Sequence, residues 1–182
     1  MSTVEYDASR DLKTIFYTAL YHAYFFPSTY DDVNGQYRGS DQKVYSGDGK
    51  PNYTLFSLWD TYRALHPLLT ITQSGRIDDI INSMLNIYKQ QGKLPVWHLS
   101  GNETNTMVGY SAVPVVVDAY MKGHRGFDAN LAYEAVKQSA MQKINGIQYI
   151  QKLAFIPADS VNESVAKALE YAIDDACIAL MA

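Results

Sequence analysis

With 182 residues, 47% of them apolar and 19% charged, the chain has the composition of one soluble globular domain with a real core, not of a disordered segment. A formal net charge of −4 leaves no basic footprint, which argues against nucleic acid as a partner. The single cysteine, Cys177, excludes an internal disulfide framework and a multi-cysteine zinc site, and no apolar run approaches the roughly 18–20 residues that span a bilayer.

The first segment, Met1 to Tyr6, has no signal-peptide core. Helical periodicity then predicts a helix over 9–24, with Leu12, Ile15, Phe16, Ala19 and Leu20 on one face, Ser9 as N-cap and Pro27 as the stop. Residues 28–52 form a long, turn-rich connection. Asn34-Gly35 and Asp48-Gly49 are hairpin-type turn signals, and a short β-hairpin is expected around 42–45 with its return near 52–54.

A second helix is predicted over 54–65, ending near His66 because Pro67 disfavours helical angles before it. The third is the cleanest. Ile77, Ile80, Ile81, Met84, Leu85 and Tyr88 keep the period, and Gly92 closes it. A fourth helix over 106–122 carries Pro114 in a β-rich valine run, so Pro114 is tolerable only in its first turns or at a kink. A fifth opens at Asp128. A turn-rich stretch surrounds Asn145-Gly146. A sixth begins with the capping-box pattern Ser160-Val161-Asn162-Glu163 and runs to the last residue. Six amphipathic helices in antiparallel pairs make an all-α domain, and alternate loops of a helical-hairpin toroid would gather at one end.

The polar groups concentrate in two places. Residues 96–110 hold the densest mix of aromatic, carboxylate, amide and hydroxyl groups, and residues 57–63 form a second polar-aromatic segment. The 15 Tyr against 6 Phe suit sugar clefts and wet interfaces, and equally suit half-buried helix contacts. Asp60 follows Trp59. An indole face and a neighbouring carboxylate can hold a hexose by stacking and by accepting vicinal hydroxyls; Asp60 could instead pair with Arg63 along the helix.

Glu103, in Gly101-Asn102-Glu103-Thr104-Asn105, is either a ligand contact or part of an N-terminal cap cluster in which Thr104 or Asn105 caps the fourth helix. Arg38 could face a hydroxyl-rich or anionic ligand, or close an ion pair with Asp41. His98 and Glu103 match no metal-helix spacing. Asp60 and Glu103 could flank a scissile glycosidic bond, but their spacing does not establish it.

Several of these segments together resemble glycoside hydrolase family 92, the calcium-dependent exo-acting α-mannosidases that include α-1,2-mannosidases. The resemblance rests on Thr14-Ile15-Phe16-Tyr17-Thr18-Ala19-Leu20-Tyr21-His22, on Tyr37-Arg38-Gly39-Ser40-Asp41, and on Phe56-Ser57-Leu58-Trp59-Asp60-Thr61-Tyr62-Arg63 with His66-Pro67-Leu68-Leu69-Thr70. It continues through Gly101-Asn102-Glu103-Thr104-Asn105 to Gly109-Tyr110, and through Glu163-Ser164-Val165 to Leu169-Glu170-Tyr171-Ala172 with Asp174-Asp175.

The resemblance implies the first part of an (α/α)6 toroid in a single domain over 1–182, with an inverting mechanism, calcium in the sugar site and a secreted or periplasmic parent enzyme. The family's general acid lies in a Tyr-Thr-Glu-Gly-Asn segment, and its calcium and base region lies in Gly-Asn-Glu-Pro and similar segments. None occurs here, nor does the family's N-terminal β-sandwich. The chain is therefore expected to be a fragment, inactive alone and binding no calcium itself. It would contribute Trp59 and Asp60 to terminal mannose, with Glu103 and Arg38 near the cleft and no catalytic acid or base. Mannose-terminated glycans are the expected partner. A helical association module that self-associates through exposed helix faces, or a mannose-binding domain without catalysis, is the alternative.

Overall fold

The computed structural model describes residues 4–47 and 49–182. The segment read for a signal peptide lies partly outside the described residues, as does Asp48 of the second turn signal. Among the described residues there are eight helices: α1 Arg10–Ala23, α2 Leu58–Thr61, α3 Leu65–Thr72, α4 Ser74–Gln91, α5 Ala112–Met121, α6 Ala129–Ala140, α7 Ile147–Leu153 and α8 Ser164–Met181. Three small antiparallel sheets accompany them, so the domain is mostly helical rather than all-α. β1 Ser28–Thr29 pairs with β4 Tyr53–Thr54, and β2 Gln36–Arg38 pairs with β3 Val44–Ser46. β5 Phe56–Ser57, β6 Trp97–Leu99 and β7 Asn102–Glu103 form the third sheet.

The core is where periodicity is strongest. α4 buries Ile77, Ile81, Met84 and Leu85 against α3, α5 and α6. Gly92 ends α4 at φ 79°, a left-handed angle that costs glycine nothing. α5 buries Val113 and Val116 and packs most extensively on α8. Its valines are helical despite their β propensity because burial in a helical layer outweighs the few tenths of a kcal/mol each loses in a helix. Pro114 is the third residue of α5, inside the first turn, where no intrahelical N–H is required. α6 starts at Asp128, whose carboxylate accepts the Leu131 N–H at 3.0 Å. α1 buries no side chain and leaves Leu12 and Ile15 exposed; α8 exposes Val165, Leu169 and Leu180.

Several expectations are corrected. The hairpin pairs 36–38 with 44–46, and 53–54 returns to 28–29 instead. The helix expected over 54–65 is a strand, a four-residue α2 and the start of α3. Leu55 takes φ 64°, which interrupts any helix, and Phe56-Ser57 pairs with β6. Pro67 does not end a helix; it sits in the first turn of α3. The capping box at Ser160 does not form. Ser160 Oγ donates to Asp159, while Glu163 flanks α8 at φ 58° with no side-chain cap. The turn-rich stretch near Asn145 contains the unforeseen α7.

Candidate functional site

The three-stranded sheet is the frame of the site. Ser57 lies opposite Trp97, and His98 lies opposite Glu103, so two segments some forty residues apart in the chain share one surface. Glu103 fixes this surface through its side chain. Its carboxylate accepts the N–H of Val96 at 2.8 Å, of Trp97 at 2.9 Å and of Asn105 at 2.8 Å. Such charge-assisted bonds to N–H groups are stronger than neutral ones. The carboxylate thus holds the turn that presents Trp97. The cap cluster expected of Thr104 and Asn105 does not form, because α5 begins only at Ala112. Thr104 Oγ1 donates to the Trp97 carbonyl at 2.9 Å instead.

The β2–β3 hairpin docks on the turn between β6 and β7. Gly101 has φ 77°, and a Cβ there would lie 2.8 Å from the Arg38 carbonyl, so only glycine lets the two backbones meet. Gln42 Nε2 donates to the Gly101 carbonyl at 3.2 Å, and Tyr30 OH donates to the Ser100 carbonyl at 2.9 Å. The Arg38 side chain is exposed and donates to Gln42 Oε1. The Arg38–Asp41 pair is not made; Asp41 pairs with Lys43 at 3.1 Å and accepts the Tyr45 hydroxyl at 2.8 Å.

His98 is buried beneath the sheet. Ser40 Oγ lies 3.0 Å from Nε2 and Thr54 Oγ1 lies 3.3 Å from Nδ1. Burial lowers its pKa, so the ring is neutral, and two hydroxyls satisfy both nitrogens.

Directly after β5, α2 carries Trp59 and Asp60. Asp60 is exposed and accepts the Ser57 hydroxyl. It does not pair with Arg63. That guanidinium lies 5.5 Å from the centre of the Trp59 ring and 4.5 Å from that of Tyr62, and it binds Glu170 of α8 at 2.5 Å. Tyr62 OH donates to the other Glu170 oxygen at 2.9 Å. Burial and this bond push the Tyr62 pKa up to about 12. The Trp59 indole N–H is buried without a partner among the described residues.

A cavity of about 340 Å3 adjoins this segment, lined among others by Ser57, Thr61, Trp97, Phe26 and His22. Trp59 and Asp60 do not line it; Ser57, whose hydroxyl donates to Asp60, does. The structure thus brings Trp59, Asp60 and Trp97 to one neighbourhood and seats Arg38 on the hairpin beyond the β6–β7 turn. Trp97, Ser57 and Glu170 were not singled out from sequence. Trp97 stood within the densest polar-aromatic stretch, the one signal that pointed to it.

Among the described residues, no group of three or more His, Cys, Asp or Glu side chains gathers in a way that could hold a metal. Calcium takes six to eight oxygen ligands. Glu103 is committed to backbone N–H groups, Glu170 to Arg63 and Tyr62, and Asp60 to Ser57. These residues do not fit calcium by themselves, and no chemical step is assigned to the ion.

The profile of the glycosyl hydrolase family 92 catalytic domain matches residues 1–182. The chain belongs to glycosyl hydrolase family 92. Within that family, the chain is similar to the α-mannosidase BT3965 from Bacteroides thetaiotaomicron, with a TM-score of 0.94 and 44% identity over 97% of this chain and 24% of that one. BT3965 has also been solved in complex with mannoimidazole. The inverting mannosidase BT2199 from the same organism matches at TM-score 0.83 and 34% identity, over 91% of this chain and 24% of that one. A secreted glycosidase of Arthroderma benhamiae, described as uncharacterized, is 29% identical over 120 residues, which are 57% of this chain and 16% of that protein. The family 92 chain described here thus spans about a quarter of the length of the mannosidases it matches.

Proposed function

We propose that the chain is part of the catalytic domain of an exo-acting α-mannosidase and supplies sugar-binding groups, not the catalytic acid or base. The observation that supports this most is the likeness to BT3965, an α-mannosidase also solved with mannoimidazole, at 44% identity across nearly the whole of this chain. Trp59 and Asp60 bind the terminal mannose, the indole face against the ring and the carboxylate to its hydroxyls. Trp97 lines the adjoining cavity together with Ser57. Glu103 acts by holding the Trp97 turn, and Arg38 flanks the cleft on its hairpin.

What three of the carboxylates are doing supports this division of roles. An inverting glycosidase needs two carboxyl groups about 6.5–9.5 Å apart, one to protonate the leaving oxygen and one to activate water. Glu103 already accepts three backbone N–H groups, which commits it to holding its own turn. Asp174 has the raised pKa of a general acid, about 7, but it is fully buried and cannot meet a glycan. Of these three only Asp60 is exposed, and one carboxyl does not make the pair. Inversion, calcium dependence and an α-1,2 preference belong to this reading as properties of the whole enzyme, as does a secreted or periplasmic location. The exposed apolar stripe of α8, Val165, Leu169 and Leu180, fits packing against further hairpins of an (α/α)6 toroid.

The test is turnover of an aryl α-mannoside by the purified 182-residue chain. No hydrolysis above the blank is expected. Hydrolysis abolished by Asp60→Ala overturns the division of roles. Light scattering addresses the alternative of an association module: a concentration-independent monomer counts against it.

A further inference from the structure

Helix α2 has four residues and no side-chain N-cap bond, too little to hold its own orientation in water. Yet it carries Trp59 and Asp60. The buried Leu58 and the paired β5 anchor its start; the contact that braces its other end comes from the far end of the chain. Glu170, 107 residues beyond Arg63, accepts its guanidinium with one oxygen at 2.5 Å and the Tyr62 hydroxyl with the other at 2.9 Å. Arg63 in turn lies over the Trp59 ring, 5.5 Å from its centre.

The approach of α8 is itself fixed. Gly109 takes φ 84°, and a Cβ there would come within 3.2 Å of Glu170 Cβ and 3.3 Å of Asp174 Oδ2, so the chain before α5 makes room for α8 at this level. The Arg63 side chain is 45% exposed and that of Glu170 12%, so the pair adds little to overall stability. Its geometry is a different matter. A carboxylate with both oxygens engaged on consecutive residues sets the rotation of α2 about its axis, and with it the direction of the indole face.

We propose that Glu170 is a positioning residue. Through Arg63 and Tyr62 it fixes the Trp59 ring and the Asp60 carboxylate in the orientation that receives a hexose. This rests on the sugar-binding reading above for its purpose, but the positioning is measurable without sugar.

The experiment uses the 182-residue chain labelled with 5-fluorotryptophan, which gives one 19F resonance for Trp59 and one for Trp97. In Glu170→Ala the Trp59 resonance is expected to shift or broaden while that of Trp97 stays in place. Glu170→Gln, which keeps an acceptor oxygen, is expected to restore it. Tyr62→Phe, which removes only one hydroxyl, gives a smaller shift of the same resonance and serves if Glu170→Ala does not fold. Methyl α-mannoside is then titrated into each variant, and affinity is expected to fall about tenfold in Glu170→Ala and to recover in Glu170→Gln. An unmoved Trp59 resonance, equal movement of both resonances, or no restoration by Gln overturns the proposal. Failure of the unsubstituted chain to bind mannoside, with the Trp59 resonance still moving selectively, instead counts against the sugar reading and leaves the positioning standing.

Discussion

Asp174 Oδ2 accepts the backbone N–H of Tyr110 at 2.8 Å, joining the middle of α8 to the approach of α5 across 64 residues. Its other oxygen is buried with no partner among the described residues. Burial, only partly offset by the Tyr110 N–H, raises the carboxyl pKa from 3.8 to about 7. Between these values the folded state binds a proton that the unfolded state has released, so stability falls as pH rises from about 4 to about 7. Asp174→Asn keeps an acceptor for Tyr110 and cannot ionise. It is expected to remove this declining contribution, so that stability measured by thermal unfolding across a pH series rises with pH relative to the unsubstituted protein.

His66 works in the opposite direction. Burial lowers its pKa from 6.5 to about 4. The unfolded state then binds the extra proton, so the stability this group contributes is complete above pH 6.5 and is lost as pH falls towards 4. Over that window the two slopes oppose each other, and the unsubstituted protein is expected to be nearly flat. His66→Leu should unmask stability that falls as pH rises, and Asp174→Asn should unmask stability that rises. Urea midpoints at pH 4.5, 5.5 and 6.5 check both signs.

Glu103→Ala leaves three backbone N–H groups without their acceptor. The expected loss is roughly 2–4 kcal/mol in urea unfolding, because removing an ionised acceptor strands its donors. Glu103→Gln keeps one acceptor oxygen and should lose less than half as much. If the carboxylate contacted only ligand, Glu103→Ala would leave stability unchanged.

Gly101→Ala places a methyl group 2.8 Å from the Arg38 carbonyl at a left-handed φ of 77°. Strain and clash together are expected to cost about 1–3 kcal/mol. The hairpin should loosen from the sheet, seen as faster amide exchange at Gly39 and Gln42, whose N–H groups bond within the hairpin. Gly123→Ala, at φ 92° but with open space around it, separates the angle from the clash.

The parts of the fold that sequence exposed are those decided locally. α4 was legible because its period runs unbroken into Gly92, and α6 because Asp128 caps it. Segment 54–65 was misread because Leu55 adopts a left-handed angle that its side chain does not advertise, and because the Phe56–His98 strand pairing is non-local. Pro67 gives the same local signal at the end of one helix as in the first turn of the next. For the site, the residue types at Trp59 and Asp60 were visible as a pair. The clamp from Glu170 and the three bonds of Glu103 were not, since each depends on a backbone or side chain placed by the completed fold. The family pattern was legible throughout, because its motifs are spread in order along nearly the whole chain.

The proposed grip on a terminal mannose is made by Trp59 and Asp60. Calorimetric titration of methyl α-mannoside into the unsubstituted chain and into Asp60→Ala tests it most directly. The account expects saturable binding that weakens at least about tenfold on losing the carboxylate. Equal binding by both proteins, or none by the unsubstituted chain, would contradict it.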